Sequence, residues 1–148
     1  MAGTPIARSP MARSQTDRPI GWWVKEVDRL LTETLDTALA RESLDRTGWQ
    51  VLNTVAAAGQ VPRGEVASAL AGFTDEASVA AVVGNLAERG WVTDTDPIEM
   101  TGQGRASHAE LLATVTSVRR AAVDGIVDED YRTTVSTLAR MVDNLAQS

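Results

Sequence analysis

The sequence predicts a mainly α fold, a winged helix-turn-helix held between long N- and C-terminal helices, and three observations carry that expectation. Apolar residues recur at three- and four-residue spacing in six separate stretches, the period of a helix with one buried face. Most of these stretches open on a residue that can cap a helix or close on a glycine. Between the fourth and fifth lies "WVTDTDPIEM" (91–100), two short β-prone pieces around the turn Asp94-Thr95-Asp96-Pro97.

The first 19 residues are rich in Ser, Thr, Pro, Arg and Gly and have no hydrophobic period, so 1–19 reads as a flexible basic arm. A first helix is expected from about Gly21 to Ala40, where Val24, Val27, Leu31, Leu35 and Ala38 form a stripe widened by Trp23, Leu30 and Leu39. Asp45 or Thr47 can cap the second, which carries Trp49, Val51, Leu52 and Val55 to a stop at Gly59. Pro62 suits the first turn of a third helix with Val66, Ala67 and Leu70, ending near Gly72. Thr74 or Asp75 can cap the fourth, whose buried side is Val79, Val82, Val83 and Leu86 and whose end is Gly90. After the hairpin, Thr101 starts a fifth helix through Leu112, Val115 and Val118. Asp128 is expected to cap the sixth, where Tyr131, Val135, Leu138, Val142 and Leu145 keep a three-four repeat.

Composition narrows the chemistry. The 148 residues, 43% hydrophobic, suffice for one domain with a core, expected over 20–148. With no cysteine there are no disulfides, zinc-thiolate sites or cysteine nucleophiles. The single histidine cannot build a histidine-rich metal site, no carboxylate cluster has ligand spacing, and no Gly-rich phosphate loop follows a strand. No catalytic residue, metal or cofactor is therefore expected, and an enzyme working through Ser, Asp or Glu is the remote alternative. No apolar run reaches membrane-span length and the N-terminus lacks the apolar centre of a signal peptide, so a cytoplasmic protein is expected. The net charge of −6 divides into +2 over residues 1–18 and −8 over the rest, which disfavours polyanions.

Four segments carry a family resemblance: "GWQVLNTV" (48–55), "NLAERGWV" (85–92), "EMTGQGRASH" (99–108) and "DEDYRTTVSTLARMVDNL" (128–145). In this order the chain resembles the multiple antibiotic resistance regulator (MarR) family over residues 20–146. The resemblance implies dimerisation helices at 20–42 and 126–148, a winged helix-turn-helix at 44–105, a homodimer and a near-palindromic duplex DNA partner. It sets the fourth helix in the major groove and the wing against the backbone. Independently, the terminal helices bear more apolar stripe than a domain this small can cover alone, which favours a symmetric dimer.

The candidate DNA-contacting residues are Arg63, Ser78, Ala81, Asn85, Arg89 and Arg105. The outward residues expected on the fourth helix are Asp75, Glu76, Ala77, Ser78, Ala80, Ala81, Gly84 and Asn85. The family often has arginine where Ala81 and Asn85 stand, and an Asp-x-Arg at the wing tip that this chain lacks. Residues 60–105 carry three arginines against seven acids, so little phosphate neutralisation is available. Two readings follow: a ligand-responsive DNA-binding regulator, or a dimer of the same build that has lost DNA binding and serves as a small-molecule-binding or protein-interaction module. Trp22, Trp23, Trp49 and His108 are the candidate ligand-binding set; the resemblance places them around a cleft that admits small aromatic effectors, while rings that simply fill the core are the competing reading.

Overall fold

A computed structural model describes residues 17–148. All but the last three residues of the expected arm lie outside the described residues. The chain order is α1 (Ile20–Leu39), a 3-10 turn (Ala40–Glu42), α2 (Arg46–Ala58), β1 (Gln60–Val61), α3 (Arg63–Ala69), α4 (Glu76–Glu88), β2 (Ile98–Glu99), α5 (Gly102–Ala122) and α6 (Asp128–Ala146).

Local chemistry sets most of the boundaries. Asp45 Oδ1 accepts the Gly48 amide at 2.7 Å and caps α2. Asp75 Oδ1 does the same for α4 with Ser78, also at 2.7 Å, and Thr101 Oγ1 for α5 with Gly104 at 2.9 Å. Each cap satisfies an amide that has no partner within the helix, a contribution of about 1 kcal/mol. Gly59 and Gly90 follow α2 and α4 with φ of 73° and 78°, left-handed values that other residues resist. Arg46 joins α1 to α2: its amide donates to Asp36, and its guanidinium donates to Asp28 and Thr32, each at 2.7 Å.

Four boundaries and pairings depart from expectation. Strand β1 has no counterpart among the expected elements; it pairs antiparallel with β2 in the register Gln60↔Glu99 and Val61↔Ile98. The wing is therefore not a simple two-stranded hairpin. Its first piece joins the second through a single bridge, Val92↔Met100, with the Thr93 amide donating to the Glu99 carbonyl. Helix α3 stops at Ala69, and the chain turns through Gly72 (φ 93°) to reach Asp75. Asp128 is the first residue of α6 instead of its cap; the cap position is Val127, with no side-chain bond, and three acids in the first turn face the positive end of the helix dipole.

One apolar cluster holds the central elements together. Leu35 and Leu39 from α1 meet Trp49, Leu52 and Val55 from α2, Val79, Val83 and Leu86 from α4, Ile98 from β2, and Leu111 and Val115 from α5. The ends are different. Ile20, Val24, Val27 and Leu30 of α1 are exposed, and α6 has no buried residue, with Tyr131, Val135, Val142 and Leu145 all open. Among the described residues no helix is long and apolar enough to cross a membrane, and no three or more His, Asp or Glu side chains gather to hold a metal ion.

Candidate nucleic-acid interface and aromatic clusters

The helical period of α4 buries Val79, Val83 and Leu86 and turns the rest outward. Asp75, Glu76, Ala77, Ala80, Ala81, Gly84 and Asn85 are exposed, and Ser78 is half-buried. The middle of the outer surface carries only short side chains, with exposed acids at the helix start (Asp75, Glu76) and at its end (Glu88). The Ser78 amide and hydroxyl hold the Asp75 carboxyl below its ordinary pKa, so this cap stays ionised in mildly acidic conditions.

The arginines around this face are differently engaged. Arg105 is exposed in the first turn of α5. Arg89 donates to the carbonyls of Glu42 and Ser43 and lies 3.8 Å from the centre of the Trp91 ring. It closes the 3-10 turn and covers the buried wing root. Arg63 is tied to the wing: its amide donates to Asp96 Oδ1 at 3.1 Å, its Nε to the Thr95 carbonyl at 3.1 Å, and its Nη2 to Asp94 Oδ1 at 2.9 Å. Extending the β1–β2 register by two residues sets Arg63 opposite Asp96. The acidic wing tip thus has an internal partner, which a reading that lacked β1 had no means to find.

The four aromatic candidates form two pairs. Trp22 and Trp23, both half-buried on α1, meet edge to face with centroids 4.7 Å apart, and Arg18 lies over Trp22 at 3.9 Å. Trp49 is buried and stacks on His108, with centroids 5.1 Å apart and planes 9° from parallel. His108 Nε2 also meets Asn53 Oδ1 at 2.9 Å. Asn53 lies one turn beyond Trp49 on α2, a spacing that could have pointed to it. No ring contact among the described residues joins the two pairs. A groove of about 570 Å³ lies elsewhere, beside α4, and is lined by Asp36, Ser43 and Asp45 together with Ala81, Val82 and the outward residue Asn85.

Burial lowers the His108 pKa. As pH falls from the ordinary imidazole range toward the lowered value, the unfolded chain takes up the proton first, so folding stability should decline across that window. His108→Gln should flatten that part of a plot of urea midpoint against pH. An unchanged slope would show that the imidazole is not the titrating group.

Solved structures share this architecture. The chain is similar to CouR from Rhodococcus jostii RHA1 bound to p-coumaroyl-CoA, at 25% identity over 85% of this chain and 92% of that one, with a TM-score of 0.76. It is similar to a MarR family transcriptional regulator from Rhodococcus sp. RHA1, at 26% identity over 82% and 91% of the two chains, with a TM-score of 0.73. A third is a MarR family protein of Mycobacterium tuberculosis in complex with DNA, at 19% identity over 84% and 98%, with a TM-score of 0.71. No protein-family model and no curated protein sequence matches the chain.

Proposed function

We propose that this chain, which has the fold of the MarR transcription regulators, is itself a DNA-binding regulator that acts as a homodimer and responds to a small ligand. The observation that carries this reading is the presentation of α4. The helix is capped at its start, anchored by three buried side chains, and carries only short side chains across the middle of its outer face. Such a face fits a major groove closely, where Ser78 and Asn85 can meet base edges and Ala81 a thymine methyl. A structural neighbour of the same fold is in complex with DNA, which supports DNA as a partner. Two copies joined through the open stripes of α1 and α6 would present two such helices to half-sites about one helical turn apart.

A mobility-shift titration of the purified protein with the DNA upstream of its own gene tests the proposal. Binding should be specific and its salt dependence shallow, because each phosphate neutralised contributes about −0.9 to the slope of log K against log salt and Arg105 is the main arginine here without an internal partner. A steep slope that persists after removal of residues 1–18 would contradict this assignment of the surface.

For the ligand, we propose a small aromatic acid bound beside the α1 tryptophans. Trp22 and Trp23 are half-buried, whereas Trp49 is closed into the core. The support is the aromatic density here and a neighbour bound to p-coumaroyl-CoA. Saturable fluorescence quenching by a benzoate- or cinnamate-type acid, weakened in Trp22→Leu, is the expected result; no saturable quenching across a broad panel would leave all four rings as packing. The competing module without DNA binding is favoured by the internal engagement of Arg63 and Arg89, and failure to shift any duplex at low salt would select it.

A further inference from the structure

The Arg63–wing contact does more than its stability explains. Asp94 is 84% exposed and the arginine 37%, and an ion pair in that setting is worth about 0–1 kcal/mol. What it does determine is where the charge of Arg63 can go. A carboxylate oxygen and a carbonyl occupy Nη2 and Nε, the planar fork with which arginine grips a phosphate. Asp96 contributes differently: it accepts the backbone amide of Arg63 and so aligns the start of α3 with the wing tip. The side chain that would meet DNA beside the wing is already holding an internal anion.

We infer that Asp94 is a specificity determinant of the DNA-binding surface: by occupying the guanidinium of Arg63 it withholds that charge from backbone phosphate. Sequence-independent affinity stays low, and recognition rests on the uncharged side chains of α4, Ser78, Ala81 and Asn85. Asp96 is a positioning residue in the same contact. The inference rests on the regulator reading above. It also departs from simple repulsion by an acidic wing, because the effect of Asp94 must then pass through Arg63.

The experiment compares the full-length wild type with Asp94→Asn, Asp96→Asn, Arg63→Gln and the Asp94→Asn/Arg63→Gln pair. Anisotropy titrations use two duplexes, one with the DNA upstream of the gene and one of scrambled sequence. Asp94→Asn should bind the scrambled duplex about tenfold more tightly at low salt, with a slope steeper by about 0.9 for each Arg63 released. The upstream duplex should gain less, so the ratio between the two falls. Asp96→Asn removes the same charge but keeps an acceptor for the Arg63 amide, and should gain far less. In the Arg63→Gln background Asp94→Asn should have no effect. Equal gains from Asp94→Asn and Asp96→Asn, or a gain that survives Arg63→Gln, would overturn the inference in favour of plain repulsion. The Arg63 Nε–H nuclear magnetic resonance signal gives an arm without DNA: it should be protected from exchange in the wild type and lose that protection in Asp94→Asn. If no protein binds either duplex, the regulator reading fails. The engagement of Arg63 is then decided by that signal alone, whose protection supports it and whose absence overturns it.

Discussion

Gly104→Ala should lower the melting temperature by about 10 °C, corresponding to about 3 kcal/mol. A Cβ on Gly104 would sit 1.9 Å from the Trp91 carbonyl oxygen and 2.7 Å from its carbon. Both are backbone atoms, so no side chain can swing away. The same carbonyl accepts the Thr101 amide and hydroxyl, each at 3.1 Å. The first turn of α5 is thus seated directly on the peptide that leaves the wing root. An added methyl must lift the helix and stretch both bonds, and with them the packing of Leu111 and Val115 on α2. Gly102→Ala is the matched control, because nothing lies within 4 Å of its Cβ position; it should be neutral or slightly stabilising, since alanine is the better helix former. Thermal unfolding of the two variants decides the matter, and equal melting temperatures would refute the close contact.

The same region shows what a sequence can and cannot disclose. Asp45, Asp75 and Thr101 were legible as caps because each satisfies an amide three residues away, and Gly59 and Gly90 as stops because their conformation is a single-residue property. The outward face of α4 followed from the helical period alone. Strand β1 is two residues long, too short for any period, and its partner is almost 40 residues distant. Asp128 had the composition of a cap, but Val127 already supplies the extended backbone at that position, so the three acids act through the helix dipole instead.

Site residues were legible as types and not as contacts. Arg63, Arg89 and Arg105 stood out as the basic residues near an acidic surface, yet their availability is decided by atoms 31 to 47 residues away for the first two. The β1–β2 register sets the wing tip, Asp96 and with it Asp94, against Arg63, and the 3-10 turn and its C-cap offer their carbonyls to Arg89. The tryptophans illustrate the same limit. Their number was evident, but burial separates Trp49, stacked on His108, from the reachable pair on α1.

Replacing both Leu138 and Val142 by Asp should convert the proposed dimer to a monomer while the winged helix stays folded. Val142 is 64% exposed and Leu145 71%, and α6 buries no residue at all. Exposed apolar side chains in a three-four repeat form a continuous stripe, and contiguous exposed apolar surface is the kind that a protein–protein interface covers. The exposed residues Ile20, Val24, Val27 and Leu30 give α1 a second such stripe. Two copies related by a two-fold axis can cover both. In that dimer each Asp would be desolvated without a partner, at a combined cost of about 3 kcal/mol or more, which weakens association about a hundredfold. The core that holds α2, α4 and α5 contains no residue of α6, so the far-ultraviolet circular dichroism of the variant should keep most of its helical signal. Light scattering at micromolar concentration supplies the test: a dimeric wild type and a monomeric, folded variant are expected. A wild type that is already monomeric would remove the dimer, and with it the paired presentation of the two α4 helices to DNA.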